Sequence, residues 1–478
     1  MNVLLINPVI NQIRSKVSSY FPAGIAYLAS HLEQNGFNVR VLDFQTSPHK
    51  YSDQFLREEI NSYNPEVVGI GCLFSLYFPS VKETAKKIKK INNRIPIVIG
   101  GAHPTLFFRD ILIDCRDIDF IVLGEGEESF LQLCLKLKNK DAALSDIDGL
   151  AYRENGEIRV NPKTRFIERL DSLPFPAFDK FDMKLYFRHV RYTRKNRGMS
   201  IITSRSCPYR CTFCSMFHTH GTKWRGRTTA NVIDEIELLY NKHGVRCFQI
   251  MDDNMAVSKD RTLDILRTIK RRGLDISIVF PNGISINTLD REVIEALKGA
   301  GCKEIRLPIE HGSEYIRNSV MKKHLREEKI FEVIELCNEF KIPTIVFLII
   351  GMPGEDRKTM EENINFVKKL KGRRFVDMLA PNFATPYPGT ELFKQCIEEK
   401  LIDDDIIRGL TEGTLTVFDK PIIKLKTLSE KELIDYRIKL WKVSFRQNFF
   451  RIAVRYLRPN RANYQAITAF IRRFVLGF

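Results

Sequence analysis

The chain has no apolar run long enough to cross a bilayer. Its longest, IVFLII at 345–350, falls far short of the roughly 20 residues a spanning helix needs, so no span is expected. No basic segment precedes the first apolar stretch, MNVLLINPV. That terminus reads as a first strand rather than a secretory signal, and a cytoplasmic protein is expected. Short repeats and low-complexity tracts are also missing, which excludes solenoids and disordered scaffolds. Cysteine is present but mostly solitary. Of ten, Cys72, Cys115, Cys134, Cys247, Cys302, Cys337 and Cys396 stand singly in apolar strand and helix patterns, as small core residues do in a reducing compartment.

What is there suits a multidomain globular protein. At 478 residues, with about 150 residues per domain, two to four domains are expected. Apolar residues are 44% and charged residues 28% of the chain, ordinary globular usage. The net charge of +17 points to an anionic partner.

From 1 to about 145 the strand-like runs NVLLIN, VRVLDF, VVGIGC, PIVIGG and DFIVLG alternate with amphipathic stretches. Five such runs predict a doubly wound parallel sheet. Gly24, Gly71, Gly100, Gly101, Gly124 and Gly126 follow strands, where such a sheet binds a nucleotide-like ligand or merely turns. Asn155–Gly156 then signals a hairpin and LPFPAFD a rigid connection, giving a linker over 146–195. Over 196–400, SIIT, CFQIM, ISIVF, EIRLPI, TIVFLII and VDMLAP alternate with helical segments. Six units predict a partial (β/α)6 TIM-like barrel, since a closed ring takes eight. A helical region over 401–478 completes the expected division.

Cys207, Cys211 and Cys214 form one compact group just after SIIT, at what is the catalytic rim of a β/α barrel. Three thiolates can hold one face of an iron–sulfur cube, whereas a purely structural or electron-transfer cluster normally takes four protein ligands. One iron is then left open to a substrate or cofactor, by the logic that separates catalytic from structural zinc sites. Zinc completed by His218 or His220 is the competing reading. Three free thiols in a loop would oxidise together, so iron fits better.

The spacing of Cys207, Cys211 and Cys214, with Phe213 before the last, resembles the C-x₃-C-x₂-C signature of radical S-adenosylmethionine (SAM) enzymes. The resemblance implies a [4Fe-4S] cluster whose open iron chelates the amino and carboxylate groups of SAM, and whose reduction cleaves it to methionine and a 5′-deoxyadenosyl radical. It further implies SAM contacts from Asp252, Asp253 and Asn254 in MDDNM and from Glu310 in LPIEHGS. Gly351, Gly354 and Glu355 in IIGMPGED are similar to the family's adenine edge. Arg225 and Arg227, ahead of the first barrel helix, are available for charge contacts. The front region resembles the cobalamin-binding domain of a large subgroup, which implies cobalamin contacts from Gly24, Gly71, Gly100, Gly101, Gly124, Glu125 and Gly126. The aspartate-x-histidine-x-x-glycine motif that supplies a cobalt ligand elsewhere is missing. His103 in GGAHPT is therefore not read as a cobalt ligand.

From 436 to 478 there are ten Lys or Arg and no Asp or Glu, with Trp441, Phe445, Phe449, Ile452 and Tyr456 at helical spacing. An anionic membrane surface or packing against the barrel would suit this stretch, nucleic acid less so. The combined expectation is a cobalamin-dependent radical SAM C-methyltransferase acting on a lipid-like or other apolar small molecule. Flavodoxin or ferredoxin is the expected reductant, and contact with the inner membrane face is expected to be peripheral. Radical cyclisation or ring contraction is the alternative. A methylthiotransferase is another, for which Cys72, Cys115 and Cys134 would hold a second cluster. A cobalamin or redox sensor binding DNA through its tail is the non-enzymatic reading.

Overall fold

The computed structural model describes residues 1–9, 21–141, 143–187, 197–370, 376–415 and 420–456, with the backbone alone at 377–378 and 444–456. The aromatic stripe beyond Trp441 lies outside the described side chains.

The apolar runs of the front region pair as expected. Strands β1 (Asn2–Asn7), β2 (Asn38–Asp43), β3 (Val67–Gly71), β4 (Ile97–Gly100) and β5 (Phe120–Val122) are parallel in the order 2-1-3-4-5. The order reverses between β1 and β3, which opens a ligand crevice at their carboxyl ends. The hairpin of the connecting segment, β6 (Leu150–Glu154) and β7 (Glu157–Asn161), extends this sheet antiparallel from β5, making seven strands. The nearly continuous apolar pattern of β1 reflects burial on both faces. Its alternate residues enter two cores: Val3 and Leu5 on one side, Leu4 and Ile6 on the other.

Six parallel strands make the second sheet in strict sequence order: β8 (Gly198–Ile201), β11 (Cys247–Ile250), β12 (Ser277–Val279), β13 (Cys302–Glu310), β14 (Thr344–Ile350) and β15 (Val376–Phe383). Between β8 and β11 a short antiparallel pair, β9 (Ser204–Arg205) with β10 (Arg225–Gly226), brackets the segment that carries the three clustered cysteines. The intervening helices start on side-chain caps from Thr228, Asp290 and Asp356, each accepting a backbone N–H. Sequential order without closure is the arrangement six units predict.

The two sheets share a core. Val3, Ile25 and Phe130 of the front region, Phe178 and Tyr186 of the connection, and Ile233 and Leu239 of the barrel belong to one cluster of buried side chains. The C-terminal region continues this. Leu410, on the helix Asp404–Glu412, joins the opposite core of the front sheet, while Leu433, Tyr436 and Leu440 of the long helix Glu430–Tyr456 enter the shared core. No helix among the described residues is long and apolar enough to cross a membrane.

Candidate active site

The chain leaves β8 into a rim tied down by one carboxylate. Asp252 accepts from the Thr203 amide (2.6 Å), the Thr203 hydroxyl (2.6 Å) and the Ser204 hydroxyl (2.5 Å). Burial pushes its carboxyl above the usual range, and the hydroxyls of Ser204 and Thr203 oppose this. A SAM contact was expected of Asp252, but its oxygens are taken by the rim itself.

Ser206 follows with φ of 73°, a left-handed conformation unusual outside glycine. Its amide donates to Asp253 Oδ2 (2.8 Å), and its hydroxyl donates to the Gly221 carbonyl (2.8 Å). The same Asp253 oxygen accepts from His220 Nδ1 (2.7 Å). Farther along, Thr212 donates from its amide to the Met321 carbonyl (3.1 Å) and accepts at its own carbonyl from Leu392 (3.0 Å). The cysteine segment is thereby pinned on both arms, and Cys207, Cys211 and Cys214 stay partly exposed on it.

The three thiols interact. Burial pushes Cys214 up to about 12 and raises Cys207 and Cys211, and neighbouring thiolates add to the rise at Cys211 and Cys214. The Lys323 ammonium opposes the rise at Cys207 and Cys211 but burial outweighs it, and cluster assembly must displace the thiol protons. Among the described residues no group of three His, Cys, Asp or Glu converges as a single metal ion requires. Each thiolate of a cube binds a different iron, so three thiols on one short segment suit a cluster. His220 is in addition occupied by Asp253.

Asn254 carries the fit. The residue is 1% exposed, its amide faces the Cys207 thiol and favours the thiolate there, and neither Oδ1 nor Nδ2 has any other partner. An amide desolvated without partners is costly unless a ligand completes it. Near the thiols is also a lysine that no motif marked. Lys323 donates to Glu310 Oε1 (2.8 Å). Burial works against its charge, but Glu310 and then Cys211 outweigh this and hold its ammonium above the usual range. Glu310 itself has φ of 71° at the end of β13. This pair presents fixed charge to the thiols.

At the end of β14, Glu355 accepts from the amides of Gly351 (2.8 Å) and Met352 (3.1 Å) and is fully buried. It shapes the turn on which Gly351 and Gly354 lie. Burial pushes its carboxyl up to about 8, against the two amide bonds, and burial holds neighbouring His311 down to about 3. Phe213 packs with Val320 and Ile349 against the core around Met352.

At the front-sheet edge, Leu73 (56% exposed) and Phe74 (53% exposed) project just past β3, where the strand order reverses. Paired exposed apolar side chains in that crevice fit a broad, partly apolar ligand face. Gly101, with φ of 121°, packs so closely that a Cβ would lie 2.6 Å from the Cys72 carbonyl oxygen. His103 is held by the Ser75 hydroxyl (2.9 Å) between the rings of Phe78 and Phe107.

Two expected contacts have other partners. Glu125 is taken by Arg225, and Arg227 is paired with Glu235. Cys72 and Cys134 belong to cores on opposite faces of the front sheet, so the second cluster a methylthiotransferase needs has no common site there.

An open six-stranded barrel with a thiol trio at its carboxyl rim, joined to a 2-1-3-4-5 sheet with its own ligand edge, defines an enzyme that pairs a cluster with a second large cofactor. Comparison with known proteins agrees. A model described as the B12 binding domain matches residues 13–134, and one described as the radical SAM superfamily matches 201–367. An uncharacterised methyltransferase of Pyrococcus horikoshii is 31% identical over 91% of this chain and 90% of its own. Cytidylyl-2-hydroxyethylphosphonate methyltransferase of Streptomyces wedmorensis is 28% identical over 84% and 83%. The fold is shared with the radical SAM methyltransferase TsrM of Kitasatospora setae, solved with cobalamin and a [4Fe-4S] cluster, at a TM-score of 0.69 and 21% identity over 83% of this chain and 78% of that one. The chain belongs to the cobalamin-dependent radical SAM enzymes, whose cofactors are a [4Fe-4S] cluster, SAM and cobalamin.

Proposed function

We propose that the protein is a cobalamin-dependent radical SAM C-methyltransferase acting on an unactivated carbon of a small, apolar, lipid-like molecule. The observation that carries this reading is the meeting of the two ligand edges. Gly124, after β5, lies so close to the cysteine segment that a Cβ there would be 3.1 Å from the Thr219 carbonyl oxygen. When bound, the cluster supplies the electron that breaks the SAM sulfonium bond and cobalamin supplies the methyl group.

The chain's own residues hold and orient. Cys207, Cys211 and Cys214 hold the cluster. Asn254 offers an amide that faces only the Cys207 thiol, Asp253 braces the segment, and Glu310 with Lys323 fixes charge beside Cys211. Phe213 backs the trio, and Glu355 holds the turn that brings Gly351 and Gly354 toward the adenine. Gly71, Gly100 and Gly101 with Leu73 and Phe74 form the cobalamin edge, bordered by Gly24 and Gly126.

This reading keeps 1–145 for cobalamin and 196–400 for SAM, with 146–195 between them and 401–478 after. The basic, aromatic composition of 436–478 supports an apolar substrate and peripheral contact with an anionic membrane from the cytoplasm. A flavodoxin or ferredoxin is the matching one-electron donor.

The test is anaerobic reconstitution of the full chain with iron, sulfide and cobalamin, then a one-electron reductant, SAM carrying a labelled methyl group and an extract of apolar metabolites. Labelled methyl in a product and about four irons per chain, one cube, are expected. 5′-Deoxyadenosine without methyl transfer would move the assignment to ring closure or contraction, and an iron count near twice that would restore the methylthiotransferase.

A further inference from the structure

The front region reaches into the cysteine segment through four buried charges. Arg225, on β10, donates to both oxygens of Glu125 (2.8 and 3.0 Å). Arg205, on β9, donates to Glu127 (2.6 Å) and lies 3.4 Å from Glu125. All four side chains are under one-tenth exposed. Two arginines from the barrel thus meet two glutamates from one turn of the front sheet, on the strands that bracket the three cysteines.

The contacts continue to the trio. Arg225 also donates to the carbonyls of His220 (2.6 Å) and Lys223 (3.2 Å), within the cysteine segment, and to Ile167 (2.7 Å) of the connection. His220 meets Asp253, and Asp253 holds the amide of Ser206, the residue before Cys207. Arg205 is the residue before Ser206, so both glutamates act on the same arm. Buried ion pairs are costly to form and costly to break singly, so they hold one geometry rather than many.

We propose that Glu125 and Glu127 are positioning residues for the iron–sulfur site: through Arg225 and Arg205 the front domain sets the conformation of the barrel segment that carries Cys207. The cluster site is then incomplete without the cobalamin domain, and Glu125 serves the cluster rather than cobalamin. The inference rests on the trio being the cluster site, but not on methyl transfer.

The test uses the full chain. In the iron-free protein, the double variant Glu125→Gln/Glu127→Gln should alkylate Cys207 about tenfold faster than wild type, because local opening is eased. After reconstitution the reduced cluster should give a shifted electron paramagnetic resonance signal. Circular dichroism and cobalamin absorbance identify folded protein. Glu304→Gln is the control, removing another buried carboxylate, paired with Arg306 at the opposite end of β13, and should change neither readout. If the double variant does not fold, hydrogen exchange on wild type decides: amides of 204–221 should open together with those of 124–127. Unchanged alkylation and resonance in the folded variant, or independent opening of the two segments, would overturn the proposal. Absence of methyl transfer alone would count only against the assigned reaction.

Discussion

At the scale of single residues, neighbours in sequence have unrelated work. Asp252 has three bonds to the rim of β8, whereas the amide of Asn254 faces only the Cys207 thiol. Replacing Asp252 with Ala should therefore lower the stability measured by urea unfolding, by roughly 1–3 kcal/mol for the donors left unpaired. Asn254→Ala should cost less than about 1 kcal/mol in stability and show its effect in SAM affinity, measured by calorimetry. Equal stability losses would contradict this division. The sequence grouped Asp252, Asp253 and Asn254 because all are polar and end one strand. It could not separate them, because the chain leaves the ladder there and side-chain direction no longer alternates. Lys323 escaped for another reason. It lies far along the chain from the cysteines, and only folding brings its ammonium to Glu310.

Glu355 gives a pH dependence with a defined sign. Its carboxyl titrates near 4.5 when unfolded and at about 8 when folded. Its contribution is fully present below 4.5 and is lost as pH rises toward 8, a span worth roughly 4–5 kcal/mol as an upper figure. Stability by urea unfolding should fall from pH 5 to 8 more steeply in wild type than in Glu355→Gln. Parallel curves would remove the buried acid from the account.

At the scale of elements, two glycines that looked alike separate. Gly101→Ala forces a Cβ against the Cys72 carbonyl at a φ that L-residues avoid. It should destabilise the front domain by more than about 1–2 kcal/mol. Gly24 lies in the first turn of the helix Ala23–Gln34 with nothing within 4 Å of a Cβ, and Gly24→Ala should be neutral or stabilising by about 0.5 kcal/mol. Thermal midpoints of the two variants test the contrast. Both glycines were read as ligand contacts from their place after strands, since sequence shows neither φ nor neighbours. The strands themselves were legible, because β1 and β14 are apolar runs buried on both faces. Addition of β6 and β7 to the front sheet was not, since the hairpin's turn fixes its own register but not its partner.

At the scale of the whole molecule, the order of the two domains followed from alternating strands and helices, but their joining did not. Arg225 and Glu125 are 100 residues apart, and a pairing at that distance leaves no local pattern in either segment. The shared core and the four buried charges should make the domains unfold as one. Calorimetry of the full chain should show a single transition rather than two. Separate transitions would mean that the shared core contributes little.

The long helix Glu430–Tyr456 has a mechanical consequence. Just before it, Thr427 donates to the Glu355 carbonyl, and in its first turn Leu433 rests near Gly351. With 27 residues at about 1.5 Å each, it is a rod of about 40 Å. Whatever grips the far end pulls on a lever whose fulcrum is the turn that Glu355 holds.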